Sequence, residues 1–230
     1  MKFLNITPGI ESLNDAGFSK FSNDEKNAFK TRVLERDNHT CQFCGFHAQK
    51  YQDIQIIKKP TEANPNIENY VTACVFCQQC FNLNHVADMQ SGALIWLPEI
   101  SQAALHHICR SIYVARITQG PMADAARKAL ETLMSRRDDA RQRLGTDDPF
   151  VLSSLLMDYI EPAEYKLRAE KLKGIRVLPL DRRIIKDGDL EFNQFPQILA
   201  FWRSKNGPYG QIPPRDWEEL WSSLGEKQAG

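Results

Sequence analysis

Apolar residues recur at helical spacing shortly before the first cysteines of the chain, at Phe29, Val33 and Leu34. Ser22 and Glu25 form the pattern of a capping box, in which each side chain accepts a hydrogen bond from the other residue's backbone N–H. The pattern predicts a helix over residues 23–37 that leads the chain into the first cysteine pair.

Short alternating or continuous apolar runs predict strands. Residues 53–57 alternate enough for a strand, and residues 69–72 lead into the second cysteine pair. Residues 93–97 form a continuous apolar run that stops at Pro98. Residues 175–179 form another short run of the same kind.

Helical patterns dominate the chain after residue 100. Ser101 caps an apolar helix that continues to Ala115. Further helices are expected over residues 121–144, 149–159 and 161–173. The charged residues of 127–143 are typical of a solvated helix face.

The chain has 230 residues, with 29 basic and 29 acidic side chains and a formal net charge of zero. Its 42% hydrophobic composition is ordinary for a globular protein, and no apolar run approaches the roughly 20 residues that cross a bilayer. The first ten residues lack the apolar run of a signal peptide, so we expect a reducing, cytoplasmic environment.

Two Cys-x-x-Cys pairs carry the most specific chemistry, Cys41-Gln-Phe-Cys44 and Cys74-Val-Phe-Cys77. Zinc binds four thiolates in a tetrahedron, and a two-residue gap lets both sulfurs of a pair face one ion. Cys41, Cys44, Cys74 and Cys77 therefore predict one structural Zn2+. Four protein ligands leave no position for water or substrate, so such a site supports a fold and performs no chemistry.

Other interpretations of the cysteines stay open. Disulfides do not suit a reducing compartment, and a thioredoxin-like dithiol needs only one pair. Cys80 extends the second pair to Cys-x-x-Cys-x-x-Cys, as in some iron–sulfur ligand runs, but the following Cys-Pro is missing. We interpret Cys80 as a buried neighbour of the site or a spare thiol, and Cys109 as a core residue.

The charge around the second cysteine pair disfavours nucleic acid. Residues 61–100 contain no lysine or arginine, and a four-thiolate zinc site adds a formal charge of about −2. Phosphate binding depends on basic side chains. A nucleic-acid-binding zinc module that uses residues 127–143 is kept as an alternative.

The segment from Arg32 to Asp37, followed by Cys41-Gln-Phe-Cys44-Gly45, resembles the start of zinc-containing HNH nucleases. Such enzymes place a histidine on the strand between the cysteine pairs to activate water and bind a divalent ion. That strand has no histidine here, and Gln78 follows the second pair. We therefore expect no enzyme activity. A divergent HNH endonuclease that uses His85 or His47 is the alternative.

The flanking segments make a closer resemblance. Arg36 to Phe46, Tyr51-Gln-Asp-Ile54 and Asn69-Tyr-Val-Thr72 resemble the IcmJ/DotN family of the Dot/Icm type IVB secretion system, as do Cys74 to Phe81 and Gly92 to Glu99. The resemblance implies a non-catalytic, zinc-stabilised scaffold subunit of the coupling complex. Such a subunit binds the C-terminal segment of the coupling ATPase (DotL-like) for effector export. It also implies a cytoplasmic location at the inner membrane, reached through partner subunits.

Together the elements and the resemblance predict an α+β fold. We expect an HNH-like ββα zinc-knuckle module over residues 22–100, with a mainly helical region over residues 101–230 packed on it as one compact unit. The aromatic tail, with Trp202, Trp217 and Trp221, either closes the helical core or forms a docking surface.

Overall fold

A computed structural model describes residues 3–10, 18, 21–58 and 66–219. Its helices are α1 (Asn23–Arg36), α2 (Val75–Cys80), α3 (Leu83–Asp88), α4 (Gln102–Arg116), α5 (Pro121–Leu144), α6 (Pro149–Asp158), α7 (Pro162–Tyr165), α8 (Arg168–Lys171) and α9 (Phe195–Arg203). Its strands are β1 (Gln52–Ile56), β2 (Tyr70–Cys74), β3 (Gly92–Trp96), β4 (Ile175–Pro179), β5 (Ile184–Asp187) and β6 (Leu190–Asn193). The mixture of helices and small antiparallel sheets confirms the α+β class.

The capping box at the start of α1 is formed as the sequence predicts. The backbone N–H of Glu25 donates to Ser22 Oγ at 3.2 Å, and that of Ser22 donates to Glu25 Oε2 at 2.7 Å. Phe29 and Val33 are buried on the inner side of the helix. At its end, Asp37 Oδ2 accepts a hydrogen bond from Thr72 N at 2.7 Å, which joins α1 to β2.

Strands β1 and β2 pair antiparallel, from Gln52 opposite Cys74 to Ile56 opposite Tyr70. Helix α2 follows β2 without a loop, so the chain has the expected ββα order around the second cysteine pair. All five residues of β2 are buried, because α1 packs against this small sheet as well.

Strand β3 lies in the first half of the chain and pairs with β4 from the second half. The register runs from Gly92 opposite Pro179 to Trp96 opposite Ile175. Residues 175–179 thus form a strand, as predicted. Together with β3 they form a two-stranded sheet that α4 and α5 contact.

The expected helix over residues 161–173 is wrong. The structure has two short helices there, α7 and α8, because Leu167 N donates to Glu164 O in a tighter three-residue turn. Within this stretch only Leu172 is buried, so no continuous apolar stripe holds a longer helix against the core. The sequence patterns above predict neither the β5–β6 hairpin nor α9.

Helix α4 lies at the centre of the main hydrophobic core. Leu105, Cys109 and Tyr113 of α4 pack with the cysteine module and with α9. Trp202 of α9 is 1% exposed, which assigns it to the core rather than to a docking surface. Trp217 packs partly buried against the same core, and Trp221 lies outside the described residues. None of the described helices combines the length and apolar character that a membrane span requires.

Candidate metal centre

The four predicted sulfurs meet at one buried point. The Sγ atoms of Cys41, Cys44, Cys74 and Cys77 all lie within 4.8 Å of one another, and all four residues are buried. Cys41 and Cys44 come from the turn after α1, whereas Cys74 ends β2 and Cys77 lies in α2. The hairpin and the turn therefore bring two sequence-distant pairs together.

A tight backbone turn presents the first pair. Gly45 N donates to Cys41 O at 2.8 Å, and Cys41 N donates to Phe46 O at 3.0 Å. Gly45 has a φ of +74°, a conformation that side chains with a Cβ rarely adopt. The glycine therefore lets the chain reverse directly after Cys44.

The donor set fits a tetrahedral, thiophilic ion. Cys44 Sγ and Cys74 Sγ are 3.8 Å apart. Two sulfurs bound at about 2.3 Å in a tetrahedron are separated by about 3.8 Å, which agrees with this distance. The four cysteines could therefore bind a metal ion together.

The thiols of this cluster divide into two kinds. Hydrogen bonds with the neighbouring thiols raise the pKa of Cys41, and burial together with such bonds raises the pKa of Cys77. Burial opposes the charged form of Cys74, but hydrogen bonds from the other three thiols and the charge of Arg110 lower its pKa. A bond from Cys41 lowers the pKa of Cys44. Cys44 and Cys74 therefore favour the thiolate form and Cys41 and Cys77 the neutral thiol, and a bound divalent ion would displace the remaining protons.

Arg110 of α4 lies directly against the sulfurs. Its Nη2 donates to Cys74 Sγ at 2.8 Å and to Cys44 Sγ at 3.3 Å. The side chain is fully buried, with its guanidinium 4.0 Å from the centre of the Phe46 ring and 5.4 Å from that of Phe76. Burial opposes its charge, but the thiolates raise the pKa of Arg110 above its ordinary value. A permanent cation therefore offsets part of the charge of the thiolate cluster.

His106, one turn earlier on α4, contacts the second pair. Its Nδ1 lies 3.2 Å from Cys77 Sγ, and its Nε2 accepts a hydrogen bond from Gln102 Nε2 at 2.8 Å. Gln102 is itself fixed by Val177 of β4, since its Oε1 accepts from Val177 N at 2.9 Å and its Nε2 donates to Val177 O at 2.7 Å.

This chain of contacts sets the tautomer of His106. Because the backbone of Val177 fixes the Gln102 amide, His106 Nε2 faces a donor and must be the acceptor. The ring proton then lies on Nδ1 and points to Cys77 Sγ. Burial lowers the pKa of His106 to about 3, so the ring is neutral at physiological pH.

The other histidines lie apart from the sulfurs. His107 Nε2 contacts Cys44 O at 2.7 Å, and His47 Nδ1 contacts Asn38 O at 2.9 Å. His85 is exposed on α3, and His39 follows α1 with its Nδ1 buried. Adjacent His106 and His107 bind different groups, as expected for neighbours on a helix.

Cys80 and Cys109 do not join the four-sulfur cluster. Cys80 is buried with its Sγ 3.7 Å from His106 Nε2, and its thiol donates to Phe76 O at 3.5 Å. Burial raises the pKa of Cys109 to about 12. Both thiols therefore stay protonated and neutral, Cys80 as a neighbour of the site and Cys109 as a core residue.

Sequence reasoning found the four cysteines but missed Gln102, His106 and Arg110. A signal was present, because these residues recur every four positions along a helix that is otherwise apolar on its inner side. A polar stripe at this spacing within a buried face indicates a shared polar partner. Here the partner is the sulfur cluster.

An α+β protein with a buried four-cysteine site, supported by one helix of its C-terminal half, is the class that the structure defines. Over 156 residues the chain is 34% identical to the type 4 apparatus protein DotN of Legionella pneumophila subsp. pneumophila (strain Philadelphia 1 / ATCC 33152 / DSM 7513), which covers 66% of this chain and 72% of DotN. The chain therefore belongs to the IcmJ/DotN family. A scan against protein-family models finds no match.

Proposed function

We propose that this protein is a non-catalytic, zinc-stabilised scaffold subunit of a type IV secretion coupling complex. It binds the C-terminal segment of the coupling ATPase, a DotL-like protein, in support of effector export. It acts in the cytoplasm and reaches the inner membrane through its partner subunits. The similarity to DotN, a type 4 apparatus protein, carries this proposal.

The sulfur site supports a structural rather than a catalytic metal. Cys41, Cys44, Cys74 and Cys77 offer four soft ligands of the type that zinc prefers, and together they fill a tetrahedral shell. A bound ion would hold the turn after α1 against β2 and α2. With every position taken by sulfur, water would have no place on the ion.

The surroundings of β1 also support a non-catalytic role. Asp53 of β1 forms an ion pair with Lys30 at 3.0 Å, and Gln55 is fully buried with its Nε2 donating to Ile56 O. The nuclease alternative uses His47 or His85. His47 forms a hydrogen bond with a backbone carbonyl, and His85 is exposed to solvent. Neither arrangement resembles a base held ready for water activation.

The ion pairs of the arginines on α5 argue against nucleic acid as a partner. Arg127 pairs with Asp124, Arg136 with Glu99 and Asp139, and Arg137 and Arg141 with Asp147. Arg143 lies 3.6 Å from the centre of the Trp96 ring. These internal contacts reduce the positive charge that phosphate binding requires.

We also propose that residues 22–100 and 101–230 form one compact unit. Arg110 and His106 of the second region contact the sulfurs of the first, and β4 pairs with β3. Separation of the two regions would leave buried polar groups without partners.

The proposed function is tested by co-purification and calorimetry. We expect the purified chain to bind the C-terminal segment of the coupling ATPase from the same host at micromolar concentration or below, and to carry one zinc per chain. No complex at that concentration would overturn the scaffold assignment. Plasmid nicking with Mg²⁺ or Mn²⁺ that disappears in His85→Ala or His47→Ala would establish the nuclease instead.

A further inference from the structure

Helix α6 is apolar on both of its faces. Leu152 and Leu156 are buried against the core, with Ser153 beside them. On the opposite side, Phe150 is 57% and Met157 58% exposed. Helices that are apolar all round are normally covered on every side, so the outer face of α6 is unusual for a free surface.

The outer face of α6 is also continuous. At 100° per residue, Phe150, Val151, Leu155 and Met157 fall on one arc, which they share only with Ser154 and Asp158. Val151 and Leu155 are exposed as well. We call these four apolar residues the α6 face.

A groove continues this face toward α3 and the residues after β4. It has a volume of about 620 Å³, and Phe150 belongs to both surfaces. Its other apolar lining residues are Val86, Ala87, Met134, Pro149 and Leu180. The groove can therefore take an apolar side chain of a segment that lies along α6.

The border of this combined surface is acidic. Among the residues that the structure describes, Asp88, Asp148 and Asp181 line the groove together with one basic residue, Arg182. Arg182 donates to Gln90, and Asp181 accepts from Arg116. Asp158 and then Glu161 lie at the other end of α6. Exposed carboxylates therefore lie at both ends of the apolar α6 face.

We propose that the α6 face and its groove dock a segment of a partner chain whose apolar side chains are flanked by lysine or arginine. This inference rests on the proposed scaffold role only in requiring a partner chain. The partner's apolar side chains would cover Phe150 and Met157, and its basic flanks would face Asp148 and Asp158. A second copy of this chain is the poorer occupant, because acidic ends would meet acidic ends in either orientation of two α6 helices.

The test uses three designed 18-residue peptides. Each carries the same amphipathic leucine and phenylalanine pattern, flanked by lysine, by glutamate or by serine. Fluorescence anisotropy measures binding to the full chain at low and high salt. We expect the lysine-flanked peptide to bind at least about tenfold more tightly than the glutamate-flanked one, with the difference shrinking at high salt.

Variants locate the binding surface. Phe150→Ser combined with Met157→Ser should weaken the lysine-flanked peptide about tenfold, as expected for loss of central apolar anchors. Asp148→Asn with Asp158→Asn should remove the preference for lysine. Leu190→Ser, an exposed leucine on β6, should bind like the wild type. Thermal unfolding of each variant checks that these exposed substitutions leave the fold intact.

Equal binding of the three peptides, or unchanged binding by the Phe150 and Met157 variant, would overturn the inference. A wild-type dimer in sedimentation that becomes a monomer in that variant would overturn it in favour of a second copy. The peptides do not include the ATPase segment, so their failure leaves the proposed function standing. Conversely, if the ATPase segment fails to bind, the proposed function is contradicted, but the result does not show what the α6 face recognises.

Discussion

Arg110 Nη2 lies 2.8 Å from Cys74 Sγ, so a residue of α4 touches the sulfur cluster formed by the other half of the chain. Four thiolates around a divalent ion carry a formal charge of about −2, and one buried guanidinium reduces it to about −1. A buried charge costs least when it is paired and hydrogen-bonded. The arginine and the thiolates therefore stabilise each other in the core.

Replacement of Arg110 by methionine should weaken metal binding and destabilise the fold. Methionine keeps the apolar stem but leaves the thiolates without a counter-charge. Loss of one partner of a buried pair costs about 3–5 kcal/mol of unfolding free energy. Groups that contact metal ligands typically change affinity by about 10- to 100-fold. Zinc competition with a chromophoric chelator, together with urea unfolding, measures both effects.

Arg116→Met is the matched control for this variant. Arg116 lies on the same helix but pairs with Asp181 at the surface. Such exposed pairs contribute about 0–1 kcal/mol. If Arg110→Met bound zinc as tightly as Arg116→Met, Arg110 would have no role in balancing the charge of the cluster.

Substitution of single cysteines should separate the four ligands from the two other thiols. Serine at position 41, 44, 74 or 77 removes a soft ligand, and we expect zinc content to fall well below one ion per chain. Cys80→Ala and Cys109→Ala should keep one zinc per chain, because both thiols lie outside the cluster. Elemental analysis of the purified variants measures this. Zinc loss in Cys80→Ala would place a fifth sulfur at the site.

The sequence was sufficient to predict that the four cysteines lie close together, because the spacing within each pair carries its geometry. Two residues between cysteines allow one turn of backbone, and the turn at Gly45 depends on local chemistry alone. Helix α1 and its cap at Ser22 were equally local and therefore predictable. Strand β3 was recognisable as a strand from its apolar run.

Contacts between distant elements could not be predicted in the same way. No local pattern encodes the pairing of β3 with β4. The polar residues at every fourth position of α4 indicate a buried polar partner, but they do not identify Cys74 as the partner of Arg110. Residues 161–173 had a helical composition, but a helix needs a buried stripe to persist, and there only Leu172 packs inward.

Gln102 should act on the site through His106. Gln102→Met removes the donor to His106 Nε2 and both hydrogen bonds to Val177. The ring is then free to adopt either tautomer, and Cys77 loses a reliable hydrogen-bond donor. We expect metal affinity to fall by about tenfold. This is the lower end of the range of about 10- to 100-fold that is typical when a group that orients a metal ligand is lost. Zinc competition measures this, and His106→Gln should give a similar loss.

The expected NMR signature is specific to the tautomer. In the wild type, the His106 ring should show its proton on Nδ1, shifted by the contact with sulfur. Gln102→Met should broaden or move this signal, whereas His85→Gln on the exposed side of α3 should leave it unchanged. A wild-type ring protonated on Nε2 would contradict the inferred direction of the hydrogen bond.

Tyr113 ties α4 to the end of β4. Its hydroxyl donates to Pro179 O at 2.6 Å, and burial raises the pKa of Tyr113 above its ordinary value. Tyr113→Phe leaves this buried carbonyl without its donor, which costs about 1–3 kcal/mol of unfolding free energy. Urea unfolding checks the loss, with Tyr159→Phe on the surface as the control. Equal stability of the two variants would show that another donor replaces the hydroxyl.

Metal removal should unfold the chain rather than merely empty the site. Structural zinc contributes about 10–16 kcal/mol of apparent binding free energy, comparable with the whole stability of a domain. Because α4 contacts the sulfurs through Arg110 and His106, we expect the C-terminal half to lose structure together with the cysteine module. A strong chelator followed by circular dichroism and hydrogen exchange measures the extent.

Acidification should have the same effect, and its sign follows from proton binding. The metal-bound thiols are deprotonated, whereas free thiols in the unfolded chain have a pKa of about 8.5. Below that pH the unfolded chain binds more protons than the metal-bound folded chain, so the stability that a bound zinc ion would confer falls as pH falls. Zinc release and unfolding should coincide in a titration downward from pH 8. A chain that kept α4 and its sheet protected after losing zinc would show that the core does not depend on the ion.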